Sequence, residues 1–283
     1  MKVTELAPAK LNLTLEVGEK RSDGYHEVQS GMSCAALYDE VALERDVGGG
    51  ITMSCDCPDL PCDETNLCLR AAKLFFQKTG IACDGLRIGL TKRIPMQAGL
   101  GGGSADAAAV LRGLRKLYRP EMMIKELERM AADLGSDVPF CVRGVTAMVR
   151  GRGEQLLKLP KLPLCWFVIC KPDVSFSTPE MYARLDERKP TCTIDSLGLI
   201  KALEYQDMLE ISDRLGNCFE GVLGEDSEIF TIKKRLLALG ARNACMSGSG
   251  SAVYGLFTQE DAAKAAAEEL KKTYPRTWFA ESV

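Results

Sequence analysis

The segment Pro95-Met-Gln-Ala-Gly-Leu-Gly-Gly-Gly-Ser-Ala105 constrains this 283-residue chain more than any other stretch. Gly99, Gly101, Gly102 and Gly103 leave the backbone free to take positive φ and to approach a ligand closely. Behind them, Ala107, Val110, Leu111, Leu114 and Leu117 recur at helical spacing, with Ser104 as the expected N-cap. Ahead of them, Leu86–Lys92 alternates apolar and polar residues and predicts a strand. A strand, a glycine turn and a helix in that order aim free N–H groups and the positive end of the helix dipole at one spot. An anion such as phosphate binds there. Tight packing is the other use of such glycines. The spacing is not that of the P-loop, since the chain has no Gly-Lys pair, nor of the dinucleotide fingerprint, since Ser104 stands where Gly or Ala is required.

Around this turn the pattern predicts two short strands at 2–7 and 11–18. Leu11, Leu13, Leu15 and Val17 share one face and Lys10 and Asn12 the other. Further strand is expected over 33–47, then a helix over 64–79 ended by Gly80. Pro120 is expected to open a helix carrying Ile124, Leu127 and Met130. Pro139 should push Val138 towards extended geometry and leave Asp137 in a turn. The Leu-Pro-Lys-Leu-Pro segment at 159–163 is the expected hinge between two domains, 1–158 and 159–283. The second half predicts helices over 178–187, 195–203, 207–221 and 226–239, with strands near 165–171, 243–257 and 276–282. A second glycine-rich turn, Met246–Val253, by itself reads first as a plain hairpin in a small sheet.

Composition excludes several functions. A net charge of −3 with dispersed basic residues argues against a nucleic-acid partner, and no apolar stretch is long enough to predict a membrane span. Charges in the first ten residues interrupt any secretory signal, so a cytoplasmic protein with reduced thiols is expected. Of the twelve cysteines, Cys55, Cys57 and Cys62 cluster, but without the paired C-x2-C spacing of a zinc site. No metal ligand set is expected. His26 is the sole histidine; a structural hydrogen bond is its ordinary use, and the sequence marks no Ser–His or Cys–His dyad around it. Lys10 and Asp137 have equally ordinary uses as a solvated cation and a turn residue. A phosphate turn with a lysine and an aspartate, and no redox or nucleophile signature, suggests phosphoryl transfer. That reaction needs positioning, charge neutralisation and a carboxylate at the attacking hydroxyl.

Three segments in order, Ala7-Pro-Ala-Lys-Leu-Asn12, Pro95–Ala105 and Met246-Ser-Gly-Ser-Gly-Ser251, resemble the signatures of the GHMP small-molecule kinase family. Arg21-Ser-Asp-Gly-Tyr-His26 and Gly135-Ser-Asp-Val-Pro-Phe140 narrow the resemblance to members that phosphorylate a tertiary hydroxyl on a methylerythritol unit bearing a cytidine diphosphate. The resemblance implies a two-domain α+β fold: a ribosomal-protein-like N-terminal domain with a left-handed βαβ crossover, and a ferredoxin-like C-terminal domain. It implies ATP and Mg²⁺, a small-molecule substrate, and no nucleic acid or membrane partner; it leaves the oligomeric state open. Asp137 would be the base that takes the hydroxyl proton, with Lys10 beside it. Pro95, Met96, Gln97, Ala98, Gly99, Leu100, Gly101, Gly102, Gly103, Ser104 and Ala105 would wrap the ATP phosphates. Asn12 would hold the diphosphate or erythritol end of the substrate. Tyr25 and His26 would read the cytosine, with Tyr182 or its neighbour Phe176 as the opposite wall. Gln97-Ala98 departs from the glycines common in relatives. The family also offers rival substrates (mevalonate, homoserine or a sugar), and a nucleotide-binding module without activity is the remaining alternative.

Overall fold

A computed structural model describes residues 1–188 and 193–283. In chain order the elements are β1 (Lys2–Asn12), β2 (Thr14–Lys20), β3 (His26–Arg45), β4 (Ile51–Cys55), α1 (Leu67–Thr79), β5 (Leu86–Thr91), α2 (Gly102–Tyr118), α3 (Ile124–Ala131), α4 (Val138–Arg143), β6 (Ala147–Gly151), β7 (Gln155–Lys158) and β8 (Trp166–Cys170). There follow α5 (Thr178–Arg188), α6 (Ser196–Glu204), α7 (Met208–Asp213), β9 (Gly216–Asn217), a 3₁₀ turn (Cys218–Val222), α8 (Glu228–Ala238), β10 (Asn243–Met246), β11 (Val253–Phe257), α9 (Glu260–Lys271) and β12 (Thr277–Glu281). The chain divides into two compact units: Met1–Ala9 with Tyr38–Ile94 and Gly101–Gly144, and Lys10–Leu37 with Pro95–Leu100 and Val145–Val283.

In the first unit, β5 pairs in parallel with β4 and antiparallel with residues 40–45 of β3. Its alternation buries Leu86, Ile88 and Leu90. Helix α1 starts where the Asn66 side chain accepts from the Cys68 N–H at 2.9 Å and stops at Gly80, whose φ of 68° suits glycine. It packs on α2, whose run of buried alanines (Ala105, Ala107, Ala108 and Ala109) permits close helix approach. Arg112 on α2 reaches the Cys141 carbonyl at 2.7 Å and so ties α4 to this pair.

In the second unit, residues 28–32 of β3 pair with β6, which forms a hairpin with β7. β2 lies against β3 on one edge and, in parallel, against β9 on the other. A separate antiparallel sheet has the order β10-β11-β8-β12. Helices α8 and α9 cover it, and Ile229, Ile232, Leu236, Ala263, Ala267 and Leu270 bury their apolar faces against Val168, Val253 and Phe257. Each such large side chain contributes about 1.5–3 kcal/mol by leaving water.

Several local expectations are corrected. β1 runs unbroken through Pro8, because a strand with one partner tolerates a residue lacking an N–H. Alternation does not separate inside from outside between Lys10 and Leu15, since all six residues are buried. The N-cap of α2 is Gly101, at φ 66°, and Ser104 lies inside the first turn. Pro120 occupies the α2–α3 connection, and α3 begins only at Ile124. Val138 is helical: Pro139 sits in the first turn of α4, where its missing N–H costs nothing, so Asp137 is the residue flanking a helix start. The helix expected over 207–221 is broken at Gly216 into α7, β9 and the 3₁₀ turn, and α9 was not foreseen at all.

Candidate active site

In the second unit the three glycine- and lysine-bearing segments meet. Lys10 donates from its backbone N–H to the Leu100 carbonyl at 3.0 Å and from Nζ to Asn12 Oδ1 at 2.6 Å. The Gly248 N–H donates to the same Oδ1 at 2.9 Å, and Asn12 Nδ2 donates to Ser30 Oγ at 2.8 Å. Two donors on one amide atom fix that atom as oxygen. The Tyr254 hydroxyl donates to the Asn12 carbonyl at 2.7 Å, and Asn217 Nδ2 spans the carbonyls of Met246 and Gly248. The loop half Pro95–Leu100 is stitched to the second glycine turn: the Ala252 N–H donates to the Ala98 carbonyl and Ser247 Oγ to the Gly99 carbonyl, both at 3.0 Å. Gly99 has φ 74°, and a Cβ there would lie 2.0 Å from the Ser247 carbonyl oxygen. At this position the glycine serves packing.

The other loop half, Gly101–Ala105, belongs to the first unit. The first intrahelical bond of α2 runs from the Ala105 N–H to the Gly101 carbonyl at 2.8 Å. The N–H groups of Gly102, Gly103 and Ser104 therefore have no intrahelical acceptor, and together they form an anion-seeking helix tip. A Cβ on Gly103 would meet only Leu67, at 3.6 Å, so packing does not demand glycine there.

Under this turn lies a charge cluster that the sequence reading missed. Lys92 Nζ, almost wholly buried, binds Asp39 and lies 2.8 Å from Asp106 Oδ2. Asp39 Oδ1 also accepts from the N–H groups of Arg93 and Ile94. Burial pushes the Asp106 carboxyl up to about 8, against the pull of Lys92. Its Oδ1 has no hydrogen-bond partner among the described residues. The available signal was an aspartate within the alanine stripe of α2, a charged residue at an inward-facing register.

Among the residues expected to read a base, His26 and Tyr182 come together: their rings stack at 4.9 Å between centroids and 27° between planes. Phe219 meets Tyr182 edge-on at 5.1 Å. Asp186 Oδ1 lies 2.7 Å from His26 Nε2. Tyr25 is exposed, with the Arg152 guanidinium 5.1 Å from its ring centroid. Phe176 packs at the second turn, 2.9 Å from where a Cβ on Gly250 would sit. Asp137 lies in the first unit at the start of α4. Among the described residues no cluster of three His, Cys, Asp or Glu side chains could hold a metal ion, and no helix is long and apolar enough to cross a membrane.

Two family models match the chain: "GHMP kinases N terminal domain" over residues 66–145 and "GHMP kinases C terminal" over 199–276. The 4-diphosphocytidyl-2-C-methyl-D-erythritol kinase of Macrococcus caseolyticus is 42% identical over 95% of both chains. A crystal structure of 4-(cytidine 5'-diphospho)-2C-methyl-D-erythritol kinase superposes with a TM-score of 0.84 at 36% identity, covering 99% of each chain. The homoserine kinase of Cytophaga hutchinsonii, at 21% identity and TM-score 0.73 over 100% of this chain and 94% of its own, shares the two-domain α+β fold.

Proposed function

We propose, because the chain belongs to the GHMP kinase family, that it transfers the γ-phosphoryl group of ATP to the 2-hydroxyl of 4-diphosphocytidyl-2-C-methyl-D-erythritol. The observation that carries this reading is the meeting of Lys10, Asn12, residues 98–100 and the turn at 247–252 in one hydrogen-bonded cluster. The tip of α2 presents N–H donors that phosphate oxygens can accept from.

In this mechanism the hydroxyl oxygen forms a bond to the γ-phosphorus, and the bond to the β–γ bridging oxygen breaks to release ADP. Asp137 receives the hydroxyl proton, and Lys10 orients the hydroxyl and offsets the negative charge that gathers during transfer. The N–H groups of Gly102, Gly103 and Ser104 grip the phosphates. The second hydrogen of the Asn12 amide remains for the diphosphate end of the substrate. Tyr25, His26 and Tyr182 hold the cytosine. Catalytic Lys10 and Asp137 fall in the segment 1–158, and 159–283 supplies the second glycine turn and Tyr182. Among the described residues no three His, Cys, Asp or Glu side chains gather to hold a metal ion, so a Mg²⁺ ion would take most of its ligands from ATP oxygens and water, with the Ser104 hydroxyl beside it or a phosphate oxygen. When bound, that ion neutralises phosphate charge. Cys55, Cys57, Cys62, Cys68, Cys83, Cys165, Cys170 and Cys245 are free thiols, which suits a cytoplasmic protein.

The test offers the purified protein ATP, Mg²⁺ and a panel of alcohols, and follows ADP. Turnover confined to the cytidine diphosphate substrate is expected. Faster turnover of mevalonate, homoserine or a sugar would move the chain to another activity of the family; nucleotide binding without turnover would make it a non-catalytic module.

A further inference from the structure

His26 and Asp186 lie 160 positions apart in the chain, yet Asp186 Oδ1 approaches His26 Nε2 to 2.7 Å. The imidazole is nearly buried, and Tyr182 stacks on it. The other Asp186 oxygen faces Lys20 Nζ at 3.4 Å. The bond from His26, helped by Lys20, holds the Asp186 carboxyl below the usual carboxylate range. An ionised carboxylate can only accept, so the proton between the two groups belongs to Nε2. A neutral imidazole has one N–H, and placing it on Nε2 leaves a lone pair on Nδ1. Cytosine offers a 4-amino group, a donor that such a lone pair accepts. Uracil offers a 4-oxo group, whose lone pairs would oppose it.

We propose that Asp186 is a positioning residue that sets base specificity: by holding His26 as its Nε2–H tautomer, it makes the pocket accept a 4-amino pyrimidine and reject a 4-oxo one. This rests on the reading that His26 meets the base. Leaving a polar group unpaired in a desolvated site lowers affinity by about 10- to 100-fold, which sets the expected preference for the cytidine over the uridine substrate.

The chain contains a single histidine, so its ¹⁵N imidazole signals need no assignment. At a pH where the ring is neutral, the wild-type spectrum should show a protonated Nε2 and an unprotonated Nδ1. Asp186→Ala should give a mixture of tautomers and lose about tenfold or more of the preference between the cytidine and uridine diphosphate substrates, with the KM for ATP unchanged. A wild-type ring protonated on Nδ1 overturns the proposal, and that measurement stands even if the variant does not fold. A variant that keeps both the Nε2–H tautomer and the base preference overturns it as well. His26→Ala separates the two layers: an unchanged KM for the cytidine substrate would refute the underlying pocket reading, whatever the tautomer.

Discussion

Asp137 precedes a proline-containing helix start, and no side-chain cap hydrogen bond ties it to the α4 backbone. Asp137→Ala is expected to lower kcat by about 10²–10⁴ with little change in ATP binding; steady-state kinetics beside a nucleotide titration decides it, and near-normal turnover would remove the role. Tyr25 presents an exposed ring against Arg152, and stacking of a base is worth about 1–3 kcal/mol. Tyr25→Ala should therefore raise the KM for the cytidine substrate about 5- to 100-fold and leave that for ATP nearly unaltered. The resemblance to the family made Lys10, Asn12 and His26 candidates. Their partners were not legible, because Gly248 lies 236 positions from Asn12 and Asp186 lies 160 from His26.

The glycine loop shows one element doing two jobs. Gly99→Ala would drive a Cβ into the Ser247 carbonyl at a positive φ, so a large loss of thermal stability is expected. Gly103→Ala meets only ordinary contact and adds a helix-favouring residue; it should keep the melting temperature while weakening ATP, since the new methyl crowds the helix tip. A nucleotide titration and a melting curve on both variants separate packing from ligand approach, which periodicity could not. Helix α2 carries a second consequence. Asp106 holds its proton in the folded state up to about pH 8, whereas the unfolded chain releases it near 3.8. The folded state binds the extra proton between those values, so this group's contribution falls as pH rises from about 4 to 8 and is flat beyond. Asp106→Asn should remove that slope: the melting temperature of the variant gains on wild type between pH 5 and pH 8.5, and parallel curves would reject the assignment.

At the scale of the molecule, thiol placement makes the packing measurable. Cys34, Cys68, Cys141, Cys165, Cys170, Cys218 and Cys245 are buried, whereas Cys55, Cys57, Cys62 and Cys83 reach solvent. A thiol reagent on the native protein should modify the second group quickly and the first only on unfolding, with mass spectrometry of the peptides as the readout. Rapid native labelling of Cys245 or Cys165, whose thiols burial pushes up, would contradict the packing around β8 and β10. The two compact units interleave along the chain because β1 and β3 each begin in one and end in the other.

The sequence by itself determined the local elements whose cause is local. α1 stops at Gly80, β5 alternates, and α2 follows the glycine turn, because capping, pleat and backbone freedom act within a few residues. It also carried the three motifs that mark the family. Tertiary structure alone decided what those motifs touch. Asn12 becomes a clasp for Gly248, Gly99 becomes a contact point for Ser247, and Asp106 keeps its proton, since each depends on residues far away in the chain that burial brings within hydrogen-bonding or van der Waals range. Desolvation and close contact are properties of three-dimensional neighbours, and no window of sequence contains them.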